Sequence, residues 1–288
     1  MPDKKPVFLC AISNISSGHC QQDCKFCTQS VRYGATIERY YHKPVETIVE
    51  EAKRARERKA AGFCLVTAGR GLDDKTLRFV CEAAEAVKKA VEGLGLIACN
   101  GTATVEQLRI LKEHGIDSYN HNLETSEAFY PRICTTHKWR ERYKTCENVK
   151  TAGLKLCTGG IFGLGEPDKE RVSMLESVAS LEPDSVPLNF FHPNPALPLP
   201  APGLSVEEAL SLVRMAREMV GERPRLMVAG GREITFGEED WRIFEAGANA
   251  IVIGDYLTTE GAAPWRDHAM LARHGYTIAE GCEAGDEG

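Results

Sequence analysis

The chain has no apolar run approaching the roughly 18 residues that a membrane-spanning helix needs, so a transmembrane role is not expected. It also lacks a basic excess. A formal net charge of -6 and a pI of about 5.8 give no general attraction to nucleic-acid phosphates or anionic lipid, and no local basic patch supplies one. The apolar stretch in MPDKKPVFLCAIS is too short for a secretory signal, so a cytoplasmic location and a small-molecule substrate are expected. No repeat of short solenoid period is present. The Gly-rich run GGIFGLGE has neither a Lys-Ser/Thr ending nor G-x-G-x-x-G spacing, which argues against a phosphate cradle; its glycines are read as permitting close approach of a cofactor.

What remains is long enough to bury a large core: 288 residues, 43% of them hydrophobic. Short apolar runs alternate with helix-period segments. VFLCAIS precedes PVETIVEEAKRARERKA, where Val45, Ile48, Val49 and Ala52 form an i, i+3, i+4, i+7 stripe. FCLVTA, GLIAC, SYNHN, LKLCTGGIFG, DSVPLNFF, RLMVAGG and AIVIGD follow as strand candidates, each but the last preceding a helical stretch. Eight β-α units predict a (β/α)8 TIM-type barrel over residues 1–275, with an open doubly wound sheet as the alternative. HPNPALPLPAPG reads as a loop over one barrel mouth, and residues 276–288 as a flexible acidic tail.

Eleven cysteines in a reducing compartment are expected to serve as metal thiolates or core residues rather than disulfides. In SSGHCQQDCKFCTQS, Cys20, Cys24 and Cys27 stand at C-x3-C-x2-C spacing with no fourth thiol nearby in sequence. Three thiolates on one tight loop suit three corners of a 4Fe-4S cluster, leaving the fourth iron open to a substrate. A zinc site using His19 is the plainer alternative, although zinc sites usually pair two separated knuckles.

The spacing C-x3-C-x-aromatic-C, with Phe26 as the aromatic, resembles the radical S-adenosylmethionine (SAM) superfamily. YNHNLETS, GGIFGLGE, DSVPLNFF and LTTEG, in that order, resemble the signatures of the biotin synthase family over roughly residues 6 to 262. The resemblance implies a SAM-dependent, oxygen-sensitive sulfurtransferase that inserts sulfide from an auxiliary iron-sulfur cluster into dethiobiotin. It implies that Asn120 and Asn122 bond the substrate ureido group and the SAM ribose, that Glu124 takes the place of a ribose-binding aspartate, and that Arg142 faces the SAM carboxylate. Ile161 would lie against adenine, Asn189 would face the ureido ring, and Thr258 and Thr259 would cap the substrate carboxylate. A flavodoxin- or ferredoxin-type electron donor, iron-sulfur assembly proteins and a homodimer are implied as partners. Another small radical SAM barrel, of mutase or cofactor-assembly type, and a non-enzymatic iron-sulfur or zinc protein stay open; a lipoyl-type sulfur inserter lacks its second cysteine triplet here.

Cys10, Cys64, Cys99 and Cys157 each fall on a different candidate strand, so all four thiolates could point into one barrel. By the resemblance, residues matching Cys64, Cys99 and Cys157 hold a 2Fe-2S cluster with an arginine as fourth ligand. Met227 stands at that arginine's position, Arg225 one same-face step earlier, and Cys10 where serine is common. Four thiolates predict a 4Fe-type auxiliary cluster; three cysteines with Arg225 is the alternative. Cys81 and Cys146 sit in apolar helix stripes and are expected in the core. Cys134 is ambiguous, and Cys282, in the tail, is a candidate for sulfide or iron delivery.

Overall fold

The computed structural model describes residues 6–199, 203–255, 261 and 263–281. Among the described residues, nine parallel strands close into a barrel of eight positions: β1 (Phe8–Ser16), β2 (Gly62–Thr67), β3 (Gly95–Cys99), β4 (Ser118–Asn120), β5 (Lys155–Cys157), β6 (Gly160–Phe162), β7 (Ser185–Phe190), β8 (Arg225–Val228) and β9 (Ala250–Val252). The fifth expected strand, LKLCTGGIFG, is broken in two. β5 meets β7 only through Cys157 and Ser185, after which Thr158 and Gly159 redirect the chain and β6 continues along β7. Gly159 is required at the break, because a Cβ there would come within 2.0 Å of the Pro187 carbonyl oxygen. At Gly160 a Cβ would meet Met174 Sδ at 2.1 Å. The cofactor-approach reading of these two glycines is therefore corrected: they let strands and the covering helix pack closely.

Helices cover the outside through the faces their periodicity marks. Val45–Glu57 buries Ile48, Ala52 and Ala55, and Asp74–Ala90 buries Leu77, Val80, Cys81 and Ala84. Cys81 and Cys146 both join this core. Asp73 caps the second of these helices by accepting from Thr76 N at 2.7 Å. The last strand is also followed by a helix, Pro264–Arg273. It is fastened by charge as well as apolar contact: fully buried Arg232 donates to Asp240 and to Asp267, both at 2.8 Å. Of the expected tail, residues 276–281 are described, and Ile278 bridges Val7 at the start of β1 while Ala279 is buried. Among the described residues, no helix is long and apolar enough to cross a membrane.

Candidate active site

A cavity of about 1230 Å³ runs through the barrel, lined at its mouth by Phe26, Cys27, Asn120, Asn122, Ile161 and Asn189 and deeper by Cys10, Cys64, Cys99 and Cys157. Cys27 of the first set and all four cysteines of the second thus line one cavity. His192 and Asn194, from the Pro-rich segment, line the same cavity, as expected for a mouth loop.

The first set sits on the loop that leaves β1. Local backbone bonds shape it: Cys27 N donates to Cys24 O at 3.0 Å, and Val31 N to Cys20 O at 2.9 Å. A second loop, ahead of helix Trp139–Ala152, clamps it. Lys25 N donates to Ile133 O, and Asp23 Oδ1 accepts from the Thr135 and Thr136 amides at 2.9 and 3.1 Å. The clamp also brings Cys134 Sγ to 3.7 Å from Cys24 Sγ, a thiol 110 residues away in sequence that the local spacing does not reveal. His19, the alternative zinc ligand, stacks on Tyr41 with centroids 4.0 Å apart and joins no such group among the described residues.

Without metal these thiols are neutral where they are buried. Desolvation pushes Cys20 up and Cys27 up to about 12, while Cys24 is pushed up by the hydrogen bond it donates to Cys134, and burial adds to it. Cys134 is correspondingly pulled down to about 4, by the bond from Cys24 and then by His137 and Thr136. Metal binding at the loop therefore has to release protons.

At the mouth the expected contacts divide. Asn120 Oδ1 is buried with no hydrogen-bond partner among the described residues, a vacancy that a ligand donor could fill. Asn122 and Asn189 line the cavity but are already engaged: Asn122 Oδ1 accepts from Gly159 N at 3.2 Å, and Asn189 bridges Gly160 O at 3.2 Å and Gly230 N at 2.9 Å. Arg142 and Glu124 face each other, Nη2 to Oε1 at 2.6 Å. The guanidinium is further held by Asn122 O and His137 Nε2. Burial raises the Glu124 carboxyl, and Arg142 opposes the rise. The fork expected for the SAM carboxylate is thus committed to a neighbour. Thr258, Thr259 and Cys282 lie outside the described residues.

The second set is fixed by strand register. Cys64 is level with Ile12, Cys99 with Val66, and Cys157 with Asn120. A barrel of this type slopes by about one residue per strand around its circumference, which returns Cys157 to the height of Cys10. The thiols feel one another: Cys64 is raised first by a hydrogen bond with Cys99, then by burial and by Cys10 and Cys157. Arg225 sits lower, its guanidinium 4.2 Å from the centroid of Phe8, and Met227 packs with Phe8, Ala61 and Ala250. The donor set at the height of the four thiols is therefore sulfur, which suits iron-sulfur ligation.

Cys134 and His137 are the site residues least evident beforehand. Their signal is an i, i+3 Cys/His pair just before a helix, which means nothing until the fold brings Cys24 to it.

Comparison with known proteins identifies the family and the fold. Residues 14–178 match the radical SAM superfamily, and residues 187–277 match the Biotin and Thiamin Synthesis associated domain. Solved structures share the fold: a methylornithine synthase (TM-score 0.76, 21% identity, 95% of this chain and 84% of that one) and a FeFe-hydrogenase maturase from Carboxydothermus hydrogenoformans (TM-score 0.78, 17% identity, 94% and 67%). Among curated proteins, the biotin synthase of Sulfurovum sp. is 61% identical over 99% of this chain and 100% of its own length. That of Aliarcobacter butzleri is 61% identical over 98% and 99%. With identity at this level end to end and the superfamily match over residues 14–178, the chain belongs to the biotin synthase family of the radical SAM superfamily.

Proposed function

We propose that the chain converts dethiobiotin to biotin at the mouth of this barrel, with Cys20, Cys24 and Cys27 holding a 4Fe-4S cluster and Cys10, Cys64, Cys99 and Cys157 an auxiliary 4Fe-type cluster. The observation that carries the reading is that Cys27 of the loop and Cys10, Cys64, Cys99 and Cys157 of the strands line one cavity. When bound, the first cluster with SAM supplies a carbon-centred radical for hydrogen abstraction and the second supplies sulfide, chemistry that side chains alone do not offer.

The chain's own residues bind and orient. Asn120 Oδ1, the orphaned acceptor, takes a ureido N–H of dethiobiotin. Asn189, anchored to Gly160 and Gly230, is held rigid on the opposite wall, so the ring enters a preformed slot. Asn122 and Glu124 face the SAM ribose, with Glu124 Oε1 fixed by Arg142 and Oε2 left for the hydroxyls. Arg142 acts on the SAM carboxylate as a fixed positive charge rather than a free fork. Phe26 and Ile161 give the apolar wall for adenine, and Thr258 and Thr259 take the substrate carboxylate. A flavodoxin- or ferredoxin-type protein supplies electrons, iron-sulfur assembly proteins load the clusters, and the chain works as a homodimer in the cytoplasm.

The test is product analysis. Anaerobically reconstituted, reduced protein given SAM and dethiobiotin should form 5'-deoxyadenosine and biotin, and Cys20→Ala, Cys24→Ala and Cys27→Ala should form neither. SAM cleavage at near wild-type rate by any of the three refutes the loop assignment.

A further inference from the structure

Neither Cys134 nor His137 is assigned a ligand above, His137 serving there only as a contact of Arg142, yet the two meet Cys24 at a spacing one metal ion can span. Cys24 Sγ lies 3.7 Å from Cys134 Sγ, Cys134 Sγ lies 3.3 Å from His137 Nδ1, and the three ligand atoms all fall within 4.8 Å of one another. A tetrahedral ion with metal-sulfur bonds of about 2.3 Å and metal-nitrogen bonds of about 2.0 Å sets its sulfurs about 3.8 Å apart and sulfur and nitrogen about 3.5 Å apart. Both separations are close to those edges before any ion is added.

The surroundings hold the group in place. His137 Nε2 is 2.7 Å from the Tyr130 hydroxyl and 3.3 Å from Arg142 Nη1, contacts that fix the ring. Ligation through Nδ1 puts the imidazole proton on Nε2, where it is donated to the Tyr130 oxygen, and Arg142 Nη1 gives up its contact. Gln22 Oε1, 3.0 Å from Nδ1, offers an oxygen as fourth donor. Asp23 cannot easily serve, since its carboxylate is occupied by Thr135 and Thr136; it instead ties the two loops together. Cys134 and His137 are buried, at 2% and 7% exposure. Two sulfurs and an imidazole select a borderline divalent transition ion over Mg2+ or Ca2+.

We propose that the cluster-free protein binds one divalent transition-metal ion through Cys24, Cys134 and His137, and that this ion and the loop's iron-sulfur cluster exclude each other. The exclusion follows from Cys24: the cluster needs its thiolate together with Cys20 and Cys27, and the single ion takes it toward the opposite loop. This second half rests on Cys24 being a cluster ligand, as read above; the ion site itself does not.

Full-length protein freed of iron under argon is titrated with Co2+, whose thiolate charge-transfer and ligand-field bands report tetrahedral sulfur ligation. The barrel thiols can take the same ion, so the readout is the difference between wild type and variants. Cys134→Ala should lose about one Co2+ per chain, and His137→Gln should weaken that ion's binding by about tenfold or more. Equal uptake with identical spectra in wild type and both variants overturns the site and leaves Cys24 and Cys134 as a hydrogen-bonded pair only. If circular dichroism shows that Cys134→Ala does not fold, Cys134→Ser and His137→Gln carry the comparison. For the exclusion, an equimolar Zn2+ preload should delay iron and sulfide uptake by wild type but not by Cys134→Ala. The same delay in both overturns the exclusion. The Co2+ result stands whether or not the cluster reading holds.

Discussion

Cys10→Ser is the perturbation that separates the two forms of auxiliary centre. The substitution is nearly isosteric and removes one sulfur from a site whose other members, Cys64, Cys99 and Cys157, stay where their strands put them. If Cys10 is the fourth ligand, wild-type protein carries four irons on the loop and four in the barrel, about eight per chain. The variant then falls below that count or changes the type of the barrel cluster, with the loop's four irons intact. If the barrel centre were a 2Fe-2S cluster completed by Arg225, the count would be about six and Cys10→Ser would leave it unchanged. Geometry favours the first outcome. The Arg225 guanidinium lies against the ring of Phe8, a residue whose backbone is two positions, about 7 Å along β1, before Cys10. Met227 fills the wall between with a thioether that packs rather than donates strongly. The assay is iron and sulfide analysis with Mössbauer spectra on anaerobically prepared protein, and Cys81→Ser, in the helical shell outside the barrel, is the control that should change nothing. About six irons in wild type, unaffected by Cys10→Ser, refutes the four-thiolate centre.

The other predictions test the mouth and the scaffold. Asn120→Ala should weaken substrate binding by about fivefold to tenfold, the value of one hydrogen bond, without lowering stability, because the acceptor it removes is already unpaired in the folded chain; equilibrium dethiobiotin binding and urea unfolding read the two effects. Asn189→Ala loses both wall anchors and should cut biotin formation on the order of a hundredfold with iron content unchanged; full output from that variant removes Asn189 from the site. Arg232→Leu strands the buried Asp240 and Asp267 carboxylates and should cost about 3–5 kcal/mol in urea unfolding. Asp73→Ala should cost about 1 kcal/mol at pH 7 through loss of the helix cap. The hydrogen bond donated by the Thr76 backbone N–H holds the Asp73 carboxyl below its usual value, so its stabilisation is present above the unfolded value of about 3.9 and lost as pH falls through the lower folded value. The gap between wild type and Asp73→Ala should therefore close in acid, and a gap that widened there would contradict the capping role.

The barrel was legible because strand and helix periods alternate and buried parallel strands read as continuous apolar runs. Two features escaped for local reasons. The break between β5 and β6 depends on how closely Gly159 approaches Pro187, which is a contact between strands and leaves no periodic trace. The final helix, Pro264–Arg273, buries only Leu271 and Asp267, and Trp265 is 74% exposed, so it carries almost no apolar stripe; the buried charge of Arg232 holds it instead.

The two cysteine sets were legible to different depths for the same kind of reason. Cys20, Cys24 and Cys27 lie within one loop, so their spacing alone expresses their geometry. Cys10, Cys64, Cys99 and Cys157 are scattered, but each sits within a strand, where period-two alternation and parallel register convert sequence position into direction and height. Contacts that join one loop to another have no such rule. Glu124 and Arg142, and Cys24 and Cys134, meet only because the segment before helix Trp139–Ala152 folds back over the loop after β1. These long-range loop contacts commit Arg142 before any ligand arrives and set a second ligand group beside the cluster loop. If the ion site proposed above exists, what the loop binds is set in the part of the site that sequence period describes least, and Cys134→Ala is the substitution that should alter metal choice while leaving the barrel thiols in place.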